Sequence, residues 1–252
     1  MGKTALITGA SSGIGRATAR VFAENGLNLI ICGRRKERLE ELQKELSAKV
    51  DVHCLSFDIR DKTAVFNAYE SLPRPFSKIE ILINNAGNAH GLSPIDQGDI
   101  NDWETMMDIN VKGLLYISKA IIPSMIKNNA GHIINIGSTA GKEVYPGGNV
   151  YCASKHAVDA INQAMRIDLH QHGIRVGAIN PGLVETEFSE VRFKGDREKA
   201  KKVYQGFTPL TPEDVAEIIY FTISRPPHVN IADLIVMPTD QASSTIVHKN
   251  LQ

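Results

Sequence analysis

Lys3-Thr4-Ala5-Leu6-Ile7-Thr8, followed at once by Gly9-Ala10-Ser11-Ser12-Gly13-Ile14-Gly15, is the stretch that decides the fold. Its first half is a short apolar run of β type, and a helical pattern begins inside the glycines. Glycine lets the chain turn tightly and lets a pyrophosphate approach backbone N–H groups at a helix N-terminus. The spacing is G-x-x-x-G-x-G rather than the G-x-G-x-x-G of the common dinucleotide fingerprint. A glycine loop alone says little. Set between a first strand and a helix, it points to a bound nucleotide, with Gly9, Ser11, Ser12, Gly13, Ile14 and Gly15 around the phosphates.

Outward from that loop, short β-type runs alternate with longer amphipathic ones to the end of the chain, the pattern of a parallel sheet covered by helices. The strand candidates are Lys3–Thr8, Leu27–Cys32, Asp51–Phe57, Ile79–Asn84, Gly131–Gly137, Ile174–Asn180 and Ile231–Met237. Several are almost continuously apolar (Leu29-Ile30-Ile31, Ile81-Leu82-Ile83), as strands buried on both faces should be. Arg34–Leu46 repeats Leu39, Leu42 and Leu46 at helical spacing, and Trp103–Asn128 and Val150–His172 read as two long helices. Thr211-Pro212-Glu213-Asp214 is a helix start, with Thr as cap and acids near the positive end. The expected architecture is α/β: a single-domain, Rossmann-type, doubly wound parallel sheet of about seven strands over residues 1–252, with helices on both faces. The polar stretch 182–209 breaks the rhythm. Ligands of open α/β sheets bind beyond the carboxyl ends of the strands, so an insertion there is a candidate substrate lid.

Composition narrows the class. The chain has 252 residues, with 28 basic and 28 acidic side chains, so no bulk charge recruits nucleic acid or an anionic membrane. The three cysteines, Cys32, Cys54 and Cys152, show no metal-ligand spacing and leave an odd thiol, which favours a reducing compartment. No signal peptide or membrane-spanning stretch stands out, no metal is expected, and the expected location is the cytoplasm.

The end of the second strand reads the cofactor. NAD sites usually place a carboxylate there for the ribose 2′-hydroxyl, whereas Arg accommodates a 2′-phosphate. Here the chain runs Cys32-Gly33-Arg34-Arg35 with no acid at that place. Cations at a helix start are disfavoured by about 0.3–1 kcal/mol each, a penalty that a bound phosphate reverses. Arg34 and Arg35 therefore point to NADP.

Chemistry enters at Tyr151-Cys152-Ala153-Ser154-Lys155, with Ser138 thirteen residues upstream. Residues four apart share a helix face, so a phenol and an ammonium address the same space. A nearby positive charge lowers a tyrosine pKa and makes the phenol usable as an acid or base. A serine hydroxyl can donate to the same oxygen that the tyrosine protonates.

With these residues in hand, the chain resembles the short-chain dehydrogenase/reductase family over essentially its whole length. The motifs recur in order: Thr8-Gly9-x-x-x-Gly13-x-Gly15, Asp58, Asn84-Asn85-Ala86-Gly87, Asn110, Ser138, Tyr151-x-x-x-Lys155, and Pro181-Gly182 with Thr186. The resemblance implies reversible hydride transfer with Tyr151, Lys155, Ser138 and Asn110 as the catalytic tetrad. Asp58 and Ile59 would flank the adenine, Asn85, Ala86 and Gly87 would support the adenosine side, and Pro181, Gly182, Val184 and Thr186 would hold the nicotinamide carboxamide. Tyr151 and Lys155 would touch the cofactor, and Asn110 would hold a water linking Lys155 to solvent.

The chain is more similar still to the branch of NADP-dependent 3-hydroxy acid (serine/allo-threonine) dehydrogenases. That likeness lies in His132–Gly141, Gly147–Tyr151, Glu187–Asp196 and His228–Ile231. The branch implies substrates such as L-serine, allo-threonine or 3-hydroxyisobutyrate, held by Ser138 and Tyr151 with Arg192 on the carboxylate. Lys194 is a weaker partner for that carboxylate, and His90 a candidate pocket residue. The alternative keeps the mechanism but takes another carbonyl, in the manner of a 3-oxoacyl carrier-protein, sugar or ketone reductase. The family also implies a homotetramer packed through the two long helices.

Overall fold

The computed structural model describes residues 2–250. Its elements run β1 (Thr4–Thr8), α1 (Gly13–Glu24), β2 (Asn28–Gly33), α2 (Lys36–Leu46), β3 (Val52–Ser56), α3 (Lys62–Glu70) and β4 (Ile81–Asn84). Then follow α4 (Ile100–Met107), α5 (Leu114–Lys127), β5 (Gly131–Ile136), α6 (Asn149–Leu169), β6 (Ile174–Pro181), α7 (Phe188–Arg192), α8 (Arg197–Val203), α9 (Pro212–Ile223) and β7 (Asp233–Val236). All seven strands are parallel, in the order β3-β2-β1-β4-β5-β6-β7. The direction of winding reverses between β1 and β4, which opens a crevice beyond their carboxyl ends.

The apolar runs do what burial on both faces demands. Ile7, Leu29 and Ile31 face one core, with Phe22 of α1, Leu39 of α2 and Ile219 of α9. Leu6, Ile30 and Leu82 face the other, with Val65 of α3, Ile117 of α5 and Val158 of α6. The helix start at Thr211 forms a capping box, in which Thr211 Oγ1 accepts from Asp214 N and Asp214 accepts from Thr211 N.

The long helix expected at Trp103–Asn128 begins earlier and is not uniform. Between α4 and α5 the turn Asp108–Gly113 widens to π-helical bonding. Gly113 passes Ile59 so closely that a Cβ would lie 2.9 Å from it, and the wider turn carries Asn110 into the interior. Ile100–Lys127 is long and apolar enough by composition to cross a membrane, but Leu114, Ile117, Ile121 and Met125 are spent on the core.

The two ends of the segment 182–209 meet just beyond β6, outside the sheet. Leu210 N donates to Leu183 O at 3.0 Å and Glu185 N to Leu210 O at 2.9 Å. It is less irregular than its polar composition suggests, because Phe188–Arg192 and Arg197–Val203 are helical.

His132 of β5 is 2% exposed, and neither ring nitrogen has a hydrogen-bond partner. Burial, followed by the charges of Arg175 and Lys3, lowers its pKa to about 3, so the folded protein holds it neutral. The unfolded chain binds a proton there below pH ~6.5, so stability falls as pH drops from about 6.5 toward 3. Between pH 7 and pH 5 the wild-type protein should lose about 2 kcal/mol more than His132→Leu. Urea unfolding at the two pH values measures this, and equal losses refute it.

Candidate active site

Thr8 laces the crevice shut at its base. Its Oγ1 accepts from Asn85 N at 3.0 Å and Ala86 N at 2.9 Å, while Asn85 Nδ2 donates to Thr8 O at 2.9 Å. This pulls the end of β4 against the glycine loop. A Cβ on Gly15 would lie 2.5 Å from Asn85 Nδ2 and 2.6 Å from Gly9 O, and Gly9 adopts φ +68°. Only glycine meets both demands. The loop then enters α1, whose first turn contains no acid and whose cap, Ser12, makes no side-chain capping bond. Free N–H groups at the positive end of a helix, facing a cavity of about 560 Å³, form a cradle suited to a pyrophosphate.

The arginines divide unequally. Arg34 is mostly exposed and lies 3.8 Å from Asp58. Asp58 is engaged by Arg60 at 2.6 Å, whose hydrogen bond is the main force holding its carboxyl below the usual range. Arg35 Nε donates to Ser11 Oγ at 3.1 Å, Nη2 to Ser12 Oγ at 2.5 Å and Nη1 to Glu187 at 2.7 Å. Each nitrogen of Arg35 thus holds one partner inside the chain, which leaves one N–H on each Nη. Both arginines border the cavity, Arg34 the more open of the two, while Glu187 reaches across the crevice to Arg35.

At the other end, Tyr151 and Lys155 sit in the first turns of α6, 8% and 6% exposed. Burial pushes the Tyr151 phenol up, reinforced by Tyr145, while a hydrogen bond from Ser138 and the charge of Arg192 oppose it. The sequence led us to expect Lys155 to pull that phenol down. In this structure Lys155 Nζ donates to Ile136 O at 2.9 Å, and desolvation lowers its own pKa to about 8. The ammonium therefore faces the end of β5, and the phenol stays protonated.

Ser138 caps the turn Thr139–Gly141, accepting from Ala140 N at 3.1 Å. Asn110 Nδ2 donates to Asn88 O at 2.9 Å and Ser154 Oγ at 3.0 Å, and its Oδ1 accepts from Asn88 N at 2.9 Å. Gly87 leaves a hollow between them, since a Cβ there would lie 3.3 Å from Asn110 Oδ1 and 3.5 Å from Lys155 Nζ. Ser138, Tyr151 and Lys155 line the same cavity as the glycine loop, together with Ile59, Ala86, Pro181, Gly182, Val184 and Thr186. Asn110 stands behind them.

Residues of the segment 182–209 line the cavity beside Tyr151 and Lys155. Phe188 packs edge-on against Tyr151, with centroids 5.6 Å apart. The Arg192 guanidinium lies 5.4 Å from both the Tyr145 and the Tyr151 rings and donates to the Tyr145 hydroxyl at 2.7 Å and to Gly91 O at 3.4 Å. Lys194 is instead held by Asp102 at 2.9 Å and Asp99 at 3.5 Å, and His90 bonds Asn88 Nδ2 at 2.9 Å in its loop. Tyr145, Glu187 and Gln241 are among the cavity residues to which the sequence reading gave no role of their own. Gln241 Oε1 accepts from Leu183 N at 2.8 Å and so supports the Pro181–Val184 loop. Their partners are 47, 152 and 58 residues away, so no local spacing announces them.

Comparison with known proteins agrees with this geometry. The profile of the family described as short chain dehydrogenase matches residues 3–197. The chain is 47% identical over 247 residues to the NADP-dependent 3-hydroxy acid dehydrogenase YdfG of Salmonella typhi, covering 97% of this chain and 99% of that one. It is also 47% identical over 245 residues to sulfoacetaldehyde reductase 2 of Chromohalobacter salexigens, covering 97% of each. Among solved structures, the closed form of a serine dehydrogenase complexed with NADP+ superposes with a TM-score of 0.92 at 46% identity, covering 98% of this chain and all of the other.

Proposed function

We propose that this chain, which belongs to the short-chain dehydrogenase family and is an NADP-dependent oxidoreductase, interconverts 3-hydroxy acids and their carbonyl forms. L-serine, allo-threonine and 3-hydroxyisobutyrate are the substrates in view. One observation carries the choice of substrate. Arg192 stands over Tyr151 with its hydrogen bonds going to a carbonyl and a neutral phenol, neither of them an anion. A carboxylate on the substrate would complete its charge, and Arg can take it bidentately.

NADP, when bound, accepts or returns the hydride. Its pyrophosphate would rest on the Gly9–Gly15 loop, its adenine beside Asp58 and Ile59, its 2′-phosphate on Arg34, and its carboxamide near Pro181–Thr186, with Asn85–Gly87 beneath. Ser138 would hold the substrate oxygen, and Tyr151 would take or give the proton at that oxygen. Lys155, largely an ammonium at neutral pH, would orient the cofactor ribose and favour the phenolate once Tyr151 gives up its proton. Asn110 would complete the path to solvent through the hollow at Gly87. Residues 182–209 would close over both ligands.

Tyr151→Phe keeps the ring packed on Phe188 and removes the acid/base, so turnover should fall about 10²–10⁴-fold while NADPH binding persists. Near-normal turnover would exclude the role. Arg192→Ala should lower kcat/KM for L-serine by roughly 10- to 100-fold, and for an uncharged secondary alcohol by less than about threefold. Equal losses would mean that Arg192 holds the segment and not the substrate.

A second reading, favoured by the likeness to the sulfoacetaldehyde reductase, puts a sulfonate on Arg192. Comparing sulfoacetaldehyde reduction with L-serine oxidation at 340 nm decides between the two. We also infer a cytoplasmic homotetramer. Leu115 and Ile167 expose apolar surface on the two long helices, and the thiols of Cys32 and Cys152 are buried and unpaired. Light scattering should give about 110 kDa, four times the 27.6 kDa chain, from the soluble fraction of lysed cells; a monomer would refute it.

A further inference from the structure

We propose that Glu187 is a latch that fastens the 182–209 segment across the bound cofactor, with Arg35 and Arg38 as its catch. The inference rests on the cofactor lying along the crevice as described above. Glu187 immediately follows Thr186 and precedes Phe188, the residue packed on Tyr151, so whatever holds Glu187 also holds the mouth of the site. One carboxylate oxygen accepts from Arg35 Nη1 at 2.7 Å and the other from Arg38 Nη1 at 2.6 Å. Arg35 is braced in turn by Ser11 and Ser12 of the glycine loop, and Arg38 rises from the first turn of α2. The bond thus joins the insertion after β6 to the phosphate-binding turn after β1, directly across the space for the cofactor.

Burial would raise the Glu187 carboxyl, but the hydrogen bonds from Arg35 and Arg38 outweigh it and hold the group ionised. The charge left over suits the cofactor. Arg34, Arg35, Arg38 and Arg60 face two carboxylates, Glu187 and Asp58, a surplus of two positive charges. A phosphate monoester carries about −1.5 to −2 at neutral pH. With Arg35 and Arg38 closing the latch, Arg34 is the arginine open to the 2′-phosphate, so the cluster of basic residues after β2 divides into one that reads the cofactor and two that shut it in. Glu187 and Arg38 are accordingly positioning residues.

Displacement of bound NADPH by excess NADP, followed by stopped-flow fluorescence, reads the latch without any substrate. Glu187→Gln should release NADPH about three- to tenfold faster than wild type, in keeping with the loss of two half-exposed ion pairs. Arg38→Met, which removes one of the two pairs and leaves Arg35 on Glu187, should speed release by less, and the double variant should be no faster than Glu187→Gln alone, because that change already breaks the Arg38 pair. Release of NADH, which lacks the 2′-phosphate, should accelerate by a similar factor. Unchanged or slower NADPH release from Glu187→Gln would overturn the latch. So would multiplying effects in the double variant, or an effect confined to NADPH. Failure of the wild-type protein to bind NADPH would instead strike at the cofactor reading itself.

Discussion

The molecule is organised around the contact between the end of β1 and the end of β4, where Thr8 Oγ1 accepts two backbone N–H groups and Asn85 closes the seam from the other side. A buried N–H must find a partner. The ends of these two strands find theirs in each other, at the point where the winding of the sheet reverses. The seam brings the glycine loop so near Asn85 and Ala86 that side chains on Gly9 and Gly15 have no room. It also aims α1 into the crevice and sets Gly87 beside Asn110 and Lys155. Cofactor cradle and proton machinery therefore share one structural support.

The chemical end is built by desolvation. Tyr151 and Lys155 are both buried, and burial alone disfavours the charged form of each. The lysine donates to the carbonyl of Ile136, while Ser138 and Arg192 oppose the upward shift of the tyrosine. Arg192 comes from the inserted segment, so that segment puts a positive charge beside the phenol.

Much of this was legible in the sequence. Parallel strands buried on both faces write themselves as continuous apolar runs, and all seven expected strands are present within about two residues of their ends. Glycines that permit a close approach are visible because nothing else fits. Tyr151 and Lys155 announce themselves by helical spacing. The π-helical turn at Asp108–Gly113 was not legible, since its cause is the passage of Gly113 over Ile59, 54 residues earlier. Nor were the short helices of the insertion, whose composition is that of a loop.

The amino-acid sequence by itself determined the fold class and the preference for a phosphorylated cofactor, and it marked the glycine turn and the Tyr151–Lys155 pair as candidates for the phosphates and the proton. Each of these is a matter of local spacing or of residue type at a strand end. Only the tertiary structure decided how the charges pair. It paired Arg35 with Glu187, sent Lys155 to the carbonyl of Ile136, tied Lys194 to Asp99 and Asp102, and set Arg192 over Tyr151. The reason is range. Helix and strand periodicities act over a few residues, whereas an ion pair forms between whichever opposite charges folding brings within about 4 Å, however far apart they lie along the chain.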